Sequence, residues 1–172
     1  MPNHRPEAVA NMFLELAGDK GLTQLQIQKL TYIAHGWTLA LYDQPLTNEL
    51  PQAWDMGPVY SNLRQRLAHV GANSVHNKIR EYDHYPSTVF SNRNGGKEIS
   101  ADFSETEADI IRQVWDIYGS LSGFELSNLT HLNDSAWYRT YNEYGRNKEI
   151  SNSLTKEHYK KLATEGSTQE NS

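Results

Sequence analysis

Residues 23–42, "TQLQIQKLTYIAHGWTLALY", decide how the chain folds. Thr23 and Gln26 stand at capping-box spacing, in which each side chain satisfies a free backbone amide of the first helical turn. Ile27, Leu30, Ala34, Trp37 and Leu41 then recur at intervals of three and four, the period of one helical face. Ile33 and Leu39 widen that stripe. The spacing therefore predicts a helix over about 23–42 that is buried on more than one side, with other elements packed around it. Asp43-Gln44-Pro45 ends it, since proline cannot continue the hydrogen-bond ladder.

Upstream, Pro6 with Val9, Met12, Phe13 and Leu16 predicts a first helix that stops at Gly18. Downstream, Leu46 to Met56 reads as an ordered loop with apolar anchors at Leu46, Leu50 and Trp54. Gly57-Pro58 is expected to open a third helix, whose inner face is Tyr60, Leu63, Leu67 and Val70 and whose end is Gly71. From Ala72 to Phe103 the periodicity weakens. Strand candidates at Thr88–Ser91 and Lys97–Ser100 flank the Asn94-Gly95-Gly96 turn signal, giving at most one small hairpin within 85–101. Ser104 with Glu107 and Ser122 with Glu125 are two more capping boxes. Asp134 or Ser135 caps a further turn or two through Trp137 and Tyr141, and a last helix runs from about Thr155 to Thr164. The expected architecture is mainly α, a compact helical bundle around the 23–42 helix. It forms a single domain over 1–164, with a disordered tail at 165–172.

Composition narrows the function classes. The 172 residues contain no cysteine, which removes disulfides, thiol nucleophiles and thiolate metal sites. No signal peptide is visible at Met1–Pro6, and Leu30–Tyr42 is too short and too polar to span a bilayer, so a cytoplasmic, non-membrane protein is expected. The formal charge is −5 and the basic residues are scattered, which argues against a nucleic-acid binder. Ten tyrosines and four tryptophans suit a protein-contact surface as well as a core.

No compact catalytic motif is present: there is no G-x-S-x-G, P-loop, glycine-rich dinucleotide turn or H-E-x-x-H. His35, in an apolar helical stretch, could be a base or a metal ligand, but a core histidine bonded to a carbonyl or carboxylate is the commoner case. His131 reads the same way. With Asp55 the two histidines would make a two-histidine, one-carboxylate set of the kind that holds iron or zinc, if the three met in space. Trp54, before Gly57-Pro58, reads as a loop pin. Gly36 inside a helix costs about 1 kcal/mol against alanine and calls for close approach of another helix or of a side chain such as Trp54. The aromatic excursion Tyr82-Asp83-His84-Tyr85-Pro86 suits partner contact.

Three ordered segments carry a resemblance: "LQIQKLTYIAHGWTLALYDQPL", then "AWDMGPVYSNL", then "LSNLTH" with "SAW". Together, from about Leu25 to Tyr138, they resemble the Panacea domain, the family of SocA-like and phage-associated GepA-like proteins. The resemblance implies an α-helical antitoxin of a toxin–antitoxin or phage-defence pair, which neutralises a cognate protein toxin by direct binding. Toxins of this family's members differ widely and include alarmone-synthetase-like enzymes. No catalytic residue or cofactor is implied. Lys29, Tyr32, His35, Trp54, Gly57, Pro58, Ser127, Thr130, His131 and Trp137 are then expected to be scaffold. Partner choice is expected in Ala72–Phe103 and after Tyr138, with Tyr82, His84, Tyr85, Tyr141 and Tyr144 as contact residues. The competing readings are a metal-dependent or acid–base enzyme built on His35, Asp55 and His131, and an adaptor that delivers its partner to a protease.

Overall fold

The structure, a computed structural model, describes residues 3–82 and 96–170. Helix α1 (Pro6–Ala17) starts on its proline and stops at Gly18, whose φ of 60° breaks the helical path. Helix α2 (Gln24–Tyr42) has both halves of the Thr23–Gln26 capping box in place and ends at Asp43 in the left-handed conformation. Its residues from Ile27 to Gly36 are all buried, because α1, α4 (Glu105–Tyr118), α5 (Gly123–Thr130) and α7 (Asn152–Glu170) pack against it. The molecule is mainly α. The central helix lies where the spacing predicts and is buried on more than one side, but Leu41, the last residue of the predicted stripe, is exposed in its final turn. Phe13, Leu30, Ile33, Leu63, Ile111 and Leu126 are among the residues that fill the core around it. Among the described residues no helix is long and apolar enough to cross a membrane.

Gly57-Pro58 does not open a helix. Gln52–Trp54 (β1) and Gly57–Val59 (β2) form a hairpin through Asp55-Met56, and helix α3 (Ser61–Leu67) follows. The register pairs Trp54 with Gly57, Ala53 with Pro58 and Gln52 with Val59. Proline is tolerated there because β2 lies on the sheet edge, where no ladder partner needs its missing N–H. Glycine is needed at 57 because its φ is +112°. The third strand, β3 (Lys148–Glu149), pairs with the other side of β1, so the order is β2-β1-β3 and every pairing is antiparallel. The small sheet thus lies at 52–59 and 148–149, outside the 85–101 segment where a hairpin is expected.

Thr88–Ser91, His84 and Tyr85 lie outside the described residues. The described partner of Lys97–Ser100 is residues 79–81: Glu98 bridges Arg80, Ile99 N donates to Ile79 O and Glu81 N to Lys97 O. Asn11, buried on α1, fastens this base. Its Nδ2 donates to the carbonyls of Ile79 (2.9 Å) and Ile99 (2.7 Å), and its Oδ1 accepts from Ile79 N (2.7 Å).

Helix α6 (Ala136–Tyr144) is capped by Ser135, which settles the choice between Asp134 and Ser135. Helix α7 is longer than Thr155–Thr164 at both ends. Its start is marked by Ser151, whose Oγ accepts from Leu154 N, a cap readable in the sequence. Against α2 it places Tyr159 directly over Gly36, at a separation no side chain could share. The close approach that Gly36 requires therefore comes from Tyr159, not from Trp54.

Candidate functional site

The three family-like segments meet at the β1–β2 hairpin, and they hold it by its backbone. Trp137 Nε1 donates to the Trp54 carbonyl (2.6 Å). His131 places Nε2 on the Asp55 carbonyl (3.0 Å) and Nδ1 on the Ser127 carbonyl (2.6 Å). Ser127 Oγ donates to the Met56 carbonyl (2.6 Å), and Lys29 Nζ to the Pro58 carbonyl (2.9 Å). Gln28 completes the set: its Nε2 donates to Tyr60 O and its Oε1 accepts from Tyr60 N. A two-residue turn would otherwise leave these carbonyls to water. Here α2, α5 and α6 supply the donors, which makes the hairpin part of the core.

Gly57 is where the three segments come closest. A Cβ there would lie 2.7 Å from Thr130 Oγ1 and 2.8 Å from Lys29 Cε. Thr130 is itself fixed, its hydroxyl donating to Ser127 O and its carbonyl accepting from Ser135 Oγ. Trp137 packs edge-on to His131 (4.0 Å between centroids), stacks on Tyr141 (4.8 Å) and sits in a small apolar cluster with Ala53, Ala136 and Ile150.

His35 and Tyr32 lie elsewhere in the core. His35 is fully buried. Its Nδ1 accepts from the backbone amides of Leu46 and Thr47, and its Nε2 meets Asn152 Oδ1 at 3.0 Å, tying the post-α2 loop to the start of α7. Burial pushes its pKa down to about 4, so the ring stays neutral and keeps its acceptor nitrogen. Tyr32, also fully buried, packs edge-on to Tyr159.

His35, Asp55 and His131 therefore do not converge. His131 does meet Asp55, but at the backbone carbonyl. The Asp55 carboxylate turns outward to Arg146 (Nε–Oδ1 2.8 Å, with Nη2 on Oδ2) and to the Tyr141 hydroxyl (2.7 Å). The Arg146 hydrogen bond, then that of Tyr141, holds this carboxyl below the usual range. Among the described residues no group of three or more His, Asp or Glu side chains is placed to hold a metal ion. Ser127 Oγ lies 3.3 Å from His131 Nδ1, yet it is buried and its proton is committed to Met56 O, so the pair is not an activated nucleophile.

Lys29 carries a measurable signature. Its side chain is fully buried, with no carboxylate partner among the described residues, and burial lowers its pKa from 10.5 to about 7. The folded state then binds fewer protons than the unfolded chain between these two values. Stability from this group is fully present above pH 10.5 and is lost as pH falls toward 7. The expected result is a stability difference between the parent and Lys29→Met that grows in the parent's favour from pH 7 to 10, by at most about 1.4 kcal/mol per unit. Urea midpoints at four pH values check this; parallel profiles would refute it.

Of the expected contact residues, Tyr144 is well exposed and Tyr141 is half-buried, with its hydroxyl on Asp55. Tyr82 is half-buried and lies close against Gly96. Sequence reasoning missed Gln28, Arg64 and Arg146. The guanidinium of Arg64 lies over the Trp54 ring at 4.7 Å, and the Trp54 indole N–H donates to Gln52 (2.8 Å). Gln28 could have been suspected as a buried amide beside Lys29; Arg146 has no sequence signal because Asp55 is far away along the chain, and Arg64 meets Trp54 only through the hairpin that the sequence does not reveal.

Three comparisons bear on this arrangement. Antitoxin SocA of Caulobacter vibrioides (strain NA1000 / CB15N) is 35% identical over 78 residues, which cover 44% of this chain and 42% of that protein. The chain thus matches less than half the length of this relative. No solved structure matches it. Residues 27–138, which contain the whole backbone clamp from Gln28 to Trp137, match the family described as Antitoxin SocA-like, Panacea domain. The chain belongs to that family.

Proposed function

We propose that this protein is the antitoxin of a toxin–antitoxin or phage-defence pair and that it neutralises its cognate toxin by binding it directly in the cytoplasm. The observation that carries this reading is how the family motif uses its functional groups. The indole, imidazole, hydroxyl and amine of Trp137, His131, Ser127 and Lys29 are all engaged on hairpin carbonyls. Groups so engaged build a rigid platform and leave nothing poised to react. Family membership supplies the other support, since it implies a toxin partner.

The motif residues are scaffold in this reading, and contact with the toxin falls to the surfaces around them. Tyr141 and Tyr144 on α6 and Tyr82 in the excursion are contact residues, and an alarmone-synthetase-like enzyme is one candidate for the toxin. The test is co-expression. The product of the adjacent open reading frame should arrest growth when expressed alone and be harmless when this protein is present, and the two should co-purify. A neighbour that is not toxic, or a rescue without a complex, would sink the proposal.

A further inference from the structure

Beside the clamp, a groove of about 490 Å³ runs between the first half of α2 and the hairpin. Leu25, Met56, Val59 and Trp54 give it an apolar lining, while Arg64 and Arg146 stand on it as guanidinium groups. Two features set it apart from ordinary surface. Met56 is 50% exposed at the tip of a turn whose carbonyls are fastened, so an apolar side chain is presented on an immobile backbone. Arg64 is exposed, and among the described residues it has no carboxylate within ion-pair distance; its guanidinium carbon stands 4.7 Å over the Trp54 ring. A guanidinium placed over an aromatic face still has N–H groups to offer a carboxylate.

The charges on the groove are lopsided. Arg64 and Arg146 face one carboxylate, Asp55, with the Lys29 amine buried beneath. This stands on a chain whose overall charge is −5, so the basic character is local. The comparable cavity near α1 contrasts with it: there Arg5 and Arg66 share the buried carboxylate of Glu7, and Glu49 lies alongside. Its charges cancel.

We propose that this groove is the seat for an acidic segment of the protein partner, with a carboxylate on Arg64 and a neighbouring apolar side chain against Leu25, Met56 and Val59. The inference rests on the antitoxin reading and adds to its contact tyrosines a further surface and the partner chemistry that surface would take. An acidic peptide fits better than a phosphate. One arginine is already matched by Asp55, and the lining offers apolar contact where a phosphate would need converging N–H donors. Methionine suits such a seat because its flexible thioether moulds to the partner, and a pre-ordered backbone lowers the entropy cost of docking.

The experiment uses the full chain and the protein encoded by the adjacent gene. Arg64→Glu and Met56→Glu should each weaken the complex roughly 10- to 100-fold, with circular dichroism and melting curves unchanged. Arg112→Glu, the same charge change on α4 away from the groove, should stay within about twofold. If the parent binds its neighbour and both groove variants bind equally well, the groove is not the seat, while the antitoxin reading stands. If the parent does not bind the neighbour at all, that reading fails and takes the groove with it. ATP serves as the anion probe: ATP binding that Arg64→Glu abolishes, with the protein complex unaffected, would assign the groove to a small anion and overturn the proposal.

Discussion

Gly57→Ala is expected to destabilise the protein by about 4 kcal/mol, a large part of the 5–15 kcal/mol that holds a typical domain together. Two costs add. At φ +112° an alanine sits in a region that side chains rarely adopt, costing about 1–3 kcal/mol. Its Cβ would also lie 2.7 Å from Thr130 Oγ1 and 2.8 Å from Lys29 Cε, both on fully buried side chains, and overpacking of that kind costs about 1–3 kcal/mol. Gly71→Ala is the control, with φ +66° and open space around it, so it should cost the backbone strain alone, about 1–3 kcal/mol, with no overpacking added. Urea midpoints with matching slopes make the comparison. Equal losses at 57 and 71 would mean that the hairpin is not wedged between α2 and α5.

Gly36→Ala should also be costly, against what helix propensity alone predicts. Alanine is favoured over glycine in a helix interior by about 1 kcal/mol. Here, however, its Cβ would come within 2.4 Å of the Tyr159 ring. That ring is buried and boxed in, edge-on to Trp37 at 5.2 Å and to Tyr32 at 6.0 Å, so it cannot swing aside. A net loss of about 2–3 kcal/mol follows. The double variant Gly36→Ala with Tyr159→Leu should be more stable than the two single losses sum to, by about 1 kcal/mol or more. Strict additivity would show that Gly36 and Tyr159 do not share the contact. Because α7 docks on α2 here, amide exchange should rise first along α7 in the single variant.

What was legible in the sequence follows from what is local. Thr23–Gln26, Ser104–Glu107 and Ser122–Glu125 are closed between residues three apart, and all three boxes form as written. Gly57-Pro58 misleads because the same dipeptide suits a helix start and an edge strand after a tight turn. What decides between them is the donor set on α2, α5 and α6, far away along the chain. Strand β3 has two residues and no periodicity to read; the packing of Trp137 and Ile150 with Ala53, and the bonds from Asn147 N to Ala53 O and Ile150 N to Pro51 O, bring it to β1. The pairing of His131 with Asp55 could be suspected, but not its form. A sequence displays carboxylates and hides carbonyls, and it is the Asp55 carbonyl that the imidazole meets.

Backbone clamping has an evolutionary corollary. Trp137, His131, Ser127 and Lys29 grasp oxygens that every amino acid possesses, so their hold does not depend on which side chains occupy positions 55 and 56. Mutation can rewrite those side chains without loosening the turn. Drift at the tip of the hairpin is then uncoupled from foldability; with the groove as the proposed partner seat, a lineage would change that partner in single steps, each through a folded intermediate.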